Sequence, residues 1–154
     1  KLTFFTEFDD VDVWEALRIS SWRTVKANTT LIREGDQDQR FGLVITGKVE
    51  LAVAGKRIVE LGEDEVFGET AYLDELGHKH LFSVVTLTDV TYLEVNPAAL
   101  ALSTEESQDL FRRRLTTTLT KRLGILSATV AKTAPAATAG QALAPGLDLQ
   151  LIDD

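Results

Sequence analysis

Apolar residues along this chain change their spacing twice, dividing it into a short helix, a run of strands and a second helical stretch that gives way to a tail. The opening stretch Phe4–Trp14 sets aromatic residues beside the acidic run Asp9-Asp10-Val11-Asp12, and Val13, Trp14, Leu17 and Ile19 follow. Acidic side chains in a first turn complement the helix dipole, so the spacing predicts a short amphipathic helix over about residues 10–19. From Ser21 to Val95, short β-branched and aliphatic runs are cut by turn residues, the mark of an all-β sandwich or barrel. The predicted strands are Trp22–Lys26, Thr30–Arg33, Phe41–Ile45, Lys48–Ala54, Ile58–Leu61, Phe82–Leu87 and Thr91–Val95. Between them, Ala27-Asn28, Glu34-Gly35-Asp36-Gln37-Asp38, Thr46-Gly47, Gly55-Lys56 and Gly62-Glu63-Asp64 supply residues that tight turns favour. Gly35, Gly47, Gly55 and Gly62 are expected at corners with positive φ, and turn geometry alone explains them.

After Val95 the spacing becomes helical again. Asn96-Pro97 is suited to start a short helix, since proline is tolerated in a first turn. Ser103 and Glu106 have capping-box spacing for a longer one. Along it Leu110, Phe111, Leu115, Leu119, Leu123, Leu126 and Val130 form one apolar stripe, with Arg112, Arg113, Lys121 and Arg122 opposite. The start of the stripe is expected to pack on the strands. Its distal part is open to two readings, more core or a contact with a second copy or another domain, a homodimer using Leu115, Leu119, Leu123 and Leu126. From Thr133 the chain is rich in Ala, Pro, Gly and Thr, a composition that cannot repay the entropy of ordering, so residues 133–154 are expected to be a linker or tail after a domain of residues 1–132. Alternating Leu147, Leu149 and Leu151 are suited to adding a strand to a neighbour's edge, although a terminal segment is more commonly loose.

Composition narrows the function classes. With 154 residues, 44% hydrophobic and 26% charged, the chain suits one ordinary core and no apolar run approaches a membrane span. A formal charge of -8 argues against a phosphate-backbone or anionic-membrane surface. Without cysteine there are no thiolate metal sites, and two histidines alone are a weak metal signal. The absence of both cysteine and methionine, with Lys1 as first residue, reads as a cytoplasmic piece of a longer polypeptide. No nucleophile elbow, P-loop or metal cluster supports an enzyme, so no catalytic residue is assigned.

One ordered set of short motifs carries a resemblance: Leu31-Ile32-Arg33-Glu34-Gly35-Asp36, Gly47-Lys48-Val49, Leu61-Gly62, Phe67-Gly68-Glu69-Thr70-Ala71 and Thr88-Asp89-Val90. Over roughly Phe4–Val130 the chain resembles the cyclic-nucleotide-binding domain family, to which catabolite-activator-type transcription factors and regulatory subunits of cAMP-dependent protein kinase belong. Asp12-Val13-Trp14-Glu15 and Phe67–Leu73 look most like such domains attached to bacterial serine/threonine kinases or phosphatases. The resemblance implies a mainly β fold, a double-stranded β-helix (jelly-roll) barrel with a short N-terminal helix and two C-terminal helices. It also implies a phosphate-binding cassette in which Gly68, Glu69, Thr70 and Ala71 meet the sugar and phosphate of cAMP or cGMP, with Glu69 accepting the ribose hydroxyl. Val59, Leu61 and Val84 would face the base. The plainer reading of Glu69 is a buried structural carboxylate.

The sequence departs from the family where an arginine, then Ser or Thr, then Ala should enter the next strand. His80, Leu81 and Phe82 stand there instead. Arginine brings a permanent charge and a fork of donors, whereas imidazole is mostly neutral at pH 7. Losing such a contact costs on the order of a hundredfold in affinity. Phe82 would either fill the phosphate site or turn into the core. Asp74 and Glu75 in the preceding loop disfavour an anion, and Lys79 replaces the arginine only if that loop folds inward; otherwise it is a solvated lysine. His78 and His80 would share a strand face if the strand starts early. Three readings follow: a regulatory domain with weak or lost cAMP/cGMP binding inside a larger signalling protein, a working sensor using Glu69 with Lys79 or His80, or the sensor half of a transcription factor. The last is disfavoured because an Ala/Pro-rich stretch stands where a helix-turn-helix would continue.

Overall fold

The computed structural model describes residues 2–74, 76–77 and 79–133. Glu75, His78 and the tail from residue 134 lie outside the described residues, as do the side chains of Leu126 and Val130. The chain divides into two compact units, Lys1–Leu119 and Thr120–Asp154, and the first carries both cores and the candidate site. Its elements run α1 (Asp10–Arg18), β1 (Ser20–Val25), β2 (Thr30–Ile32), β3 (Phe41–Thr46), β4 (Val49–Val53), β5 (Lys56–Leu61), β6 (Val66–Phe67), α2 (Glu69–Leu73), β7 (Ser83–Thr86), β8 (Val90–Val95) and α3 (Pro97–Ala101). A long helix, α4 (Glu105–Thr133), starts in this unit and ends in the other.

The strands form two four-stranded antiparallel sheets, ordered β1-β8-β3-β6 and β2-β7-β4-β5. Alternation along β3, β6 and β8 explains the first sheet's place in the fold, because both faces of these strands are apolar, while the edge strand β1 is largely exposed. Phe41, Leu43, Val66, Leu93 and Val95 pack with Phe4, Phe8, Ala16, Ile19, Leu100, Phe111 and Leu115 of the helices and the N-terminal segment. Their neighbours Val44, Phe67, Val90 and Tyr92 face the other way and pack with Ile32, Val49, Leu51, Leu61 and Val84 of the second sheet. The outer residues of that second sheet are charged: Arg57 lies 2.7 Å from Glu50, and Lys48 3.5 Å from Glu60.

Local chemistry fixes the joints. Asp9 and Asp12 make a reciprocal capping box at the start of α1, and Asn96 accepts from the N–H groups of Ala98 and Ala99 below Pro97. The β4–β5 hairpin turns through Ala54 and Gly55, both at positive φ, so Lys56 belongs to the strand rather than to the turn. Several expectations change. Gly62 does not adopt positive φ; Asp64 does, and its carboxylate accepts from the N–H groups of Thr3 and Phe4 at 2.8 and 3.0 Å. The cap of α4 is Thr104, whose hydroxyl accepts from Ser107 N–H at 3.1 Å; Ser103 bonds back to Leu100 instead. The two-residue strand β6 was not anticipated, because its apolar pair reads as part of the following motif. Leu115 is fully buried in the core and so cannot belong to a homodimer face, while Leu119 is half-buried and Leu123 is exposed. Arg122, read as lying on the face opposite the apolar stripe, is buried.

Candidate functional site

The Phe67-Gly68-Glu69 segment is placed by β6, whose Val66 and Phe67 pair with Leu43 and Gly42 of β3. Gly68 then turns the chain at φ 84° into α2. A Cβ at this position would also stand 2.7 Å from the Arg40 carbonyl oxygen, so conformation and space both require glycine. The turn carries Glu69 inward to 1% exposure, with Ala71 fully buried behind it.

The second half of the site comes from the segment before β7. Lys79 bridges Gln37, His80 N–H donates to the Asp36 carbonyl at 2.9 Å, and Gly35 N–H donates to the His80 carbonyl at 2.8 Å. This short ladder anchors the His80 backbone to the 35–37 turn and buries its ring, which is 1% exposed. His80 Nε2 lies 2.8 Å from Asp38 Oδ1. The same oxygen accepts from Arg40 N–H at 2.9 Å and lies 3.1 Å from Arg40 Nε. Arg40 is itself fixed by the Leu31 carbonyl at 3.1 Å and Asp36 at 3.3 Å. Burial alone would raise the Asp38 carboxyl, but hydrogen bonds from Arg40 and His80 and the guanidinium charge outweigh it and hold Asp38 down at about 2. An ionised carboxylate can only accept, so Nε2 of His80 is the donor in this pair.

Gly68, Glu69, Thr70, His80, Phe82, Leu51 and Val84 line one small cavity of ≈ 10 Å³. Thus Gly68, Glu69, Thr70, His80, Phe82 and Val84, all singled out in the sequence, meet at one place, and Phe82 also packs against the inter-sheet core. Ala71 is buried beside them, and Leu61 and Val59 belong to the inter-sheet core without lining the cavity. Lys79 and Leu81 are exposed, so Lys79 does not fold inward to stand in for an arginine. Asp74 is also exposed, occupied with the N–H groups of Leu76 and Gly77. His78 and Glu75 lie outside the described residues. Asp38 and Arg40 were missed by the sequence reading, which took Asp38 as a turn residue. The available signal was a carboxylate two positions before an arginine at the entrance of an apolar strand. Among the described residues, no group of three His, Asp or Glu side chains is arranged to hold a metal.

Comparison with known proteins agrees with this architecture. A Pycsar effector protein of Xanthomonas perforans, XpPycTIR, is 33% identical over 97 residues, which cover 63% of this chain but only 31% of that protein. A cyclic nucleotide-binding domain from Methylobacillus flagellatus superposes with a TM-score of 0.75 at 18% identity, covering 83% of this chain and 75% of the other. The catabolite activator protein of Thermus thermophilus gives 0.67 at 25% identity, covering 83% of this chain and 61% of that one. The profile of the cyclic nucleotide-binding domain matches residues 22–102, just over half of the chain, and with the paired sheets and the Gly68–Ala71 turn in place this chain belongs to the cyclic nucleotide-binding domain family.

Proposed function

We propose that this chain is the regulatory module of a larger signalling polypeptide and that its affinity for cAMP and cGMP at neutral pH is weak or lost. The observation that carries the reading is His80. Counted back from Thr88-Asp89-Val90, it stands where the resemblance implies the phosphate-pairing arginine; it is buried, and its Nε2 is engaged by Asp38 at 2.8 Å. Phe82 adds to this by lining a cavity of ≈ 10 Å³, far below the several hundred Å³ of ordinary small-molecule sites, so a nucleotide enters only if the ring or the His80 segment moves. The regulatory part of the reading draws on the position of α2. Tyr72 and Leu73, at its end, line a groove of ≈ 440 Å³ with Pro97 and Ala101 of α3 and Gln108, Arg112, Thr116 and Leu119 of α4, so a shift of the cassette helix would be felt by both C-terminal helices. The rest of the polypeptide would supply the kinase, phosphatase or effector activity; the relative in Xanthomonas perforans extends well beyond the matched region. Of the leucines read as a partner-facing stripe, Leu119 and Leu123 remain available to such a domain or to a second copy.

Calorimetric titration with cAMP and cGMP near pH 7.5 tests the reading. Wild type is expected to bind in the high-micromolar range or weaker, and the combined variant His80→Arg, Leu81→Ser, Phe82→Ala to gain on the order of a hundredfold. Low-micromolar or tighter binding by the wild type at this pH would overturn it.

A further inference from the structure

His80 presents two ring nitrogens, and Asp38 has already claimed one as a donor. In the neutral ring the other, Nδ1, is therefore a lone pair, an acceptor that repels a phosphate oxygen. Nδ1 becomes a donor only when the ring takes up a proton, and then the ring also gains the charge that an arginine would have supplied. We infer that His80, positioned by Asp38, serves as a proton-dependent cation for the phosphate group of a cyclic nucleotide, so that binding takes up one proton and strengthens as pH falls. The inference rests on the reading that Gly68–Thr70 still faces a phosphate, and it assigns Asp38 a positioning role that the family motif does not contain.

The charges around the ring favour this device. Asp38 lies 2.8 Å from Nε2, Arg40 stands behind Asp38 at 3.1 Å, and Asp36 engages Arg40 at 3.3 Å. Glu69 of α2 lines the same cavity, while Leu51, Phe82 and Val84 close it with apolar surface. Arg40 fixes Asp38 and is not among the lining residues, so among the described residues that line the cavity His80 is the only basic side chain. The backbone ladder to residues 35–37 keeps the ring at this address.

The test is calorimetry of the 154-residue chain with cAMP and with cGMP from about pH 8.5 to about pH 5.5, in paired buffers of different ionisation enthalpy. Affinity is expected to rise about tenfold per unit of acidification over the upper part of this range, with uptake approaching one proton. Asp38→Asn should weaken binding and move the rise to lower pH, and His80→Gln should abolish both rise and uptake. Long-range ¹⁵N spectra of the wild type at about pH 7.5 should change on saturation from the pattern of an Nε2–H ring to that of a doubly protonated one, a readout independent of how the variants fold. Weak binding that stays flat with pH, or a slope that survives His80→Gln, sinks the inference and leaves the proposed function standing. No binding even at about pH 5.5 does the same. Tight binding at every pH defeats the proposed function itself.

Discussion

Asp38 is the residue whose worth depends most on its surroundings. Its carboxyl is held at about 2 from an ordinary 3.8, so the folded form binds its proton less readily than the unfolded form. The resulting stabilisation is complete above the unfolded value and disappears as pH falls through about 2. The side chain is 33% exposed, so solvent screening reduces what the shift would otherwise contribute. Urea unfolding near pH 6 should find Asp38→Asn less stable by about 1 kcal/mol, and the gap between the two proteins should close between about pH 4 and pH 2. A constant gap across that range would mean that shape rather than charge gives Asp38 its value. Sequence alone placed this residue in a turn, correctly, but could not supply its partner, because His80 lies 42 positions away.

At the scale of elements, the N-terminal segment is held by partners that arrive late in the chain. Arg114 of α4 donates to the Phe4 carbonyl at 2.9 Å and the Thr3 carbonyl at 3.0 Å, with its guanidinium 5.8 Å from the centre of the Phe4 ring. Asp64 takes the matching N–H groups and the Thr3 hydroxyl. Phe4 thereby reaches the cluster in which its ring lies 6.0 Å from those of Phe8 and Phe111. Arg114→Ala should cost about 2 kcal/mol, the range for hydrogen bonds from a charged group, and amide exchange should accelerate first at Thr6 and Phe8. Global loss without that local acceleration would contradict the tether. Existence and type of nearly every long element were legible from spacing, whereas ends were less so. Ser103 and Thr104 carry the same chemistry, and only the observed turn decides which hydroxyl caps α4. Asp64 can adopt positive φ because a short polar side chain tolerates that region, so the conformation did not have to fall on Gly62.

In the first compact unit, strands β3, β6 and β8 of the β1-β8-β3-β6 sheet are covered by helices on one face and by the second sheet on the other. Leu115 sits in the helix-side layer with no exposure, while Leu123, two turns on, is 56% exposed. Leu115→Ala should therefore destabilise the fold by about 2–5 kcal/mol in urea unfolding, and Leu123→Ala by no more than about 0.5. Equal effects would overturn this division of the stripe. The same packing leaves Trp14 73% exposed, although helical spacing placed it among the apolar residues of α1; Ala16 and Ile19 take the buried positions. Among the described residues no helix is long and apolar enough to cross a membrane.

By itself the sequence determined what depends on near neighbours: the alternation that makes strands, the spacing that makes helices, and the start of a helix at Asn96-Pro97. These are legible because periodicity and cap chemistry act over a few residues and leave their mark in adjacent letters. Only the tertiary structure decided which polar groups share a buried address. Asp38, Arg40 and His80 meet because β3 and the segment before β7 are closed onto one end of the stack, and Arg114 meets Phe4 because α4 returns to the start of the chain. Proximity of that kind is settled by chain closure and burial, which no local pattern encodes.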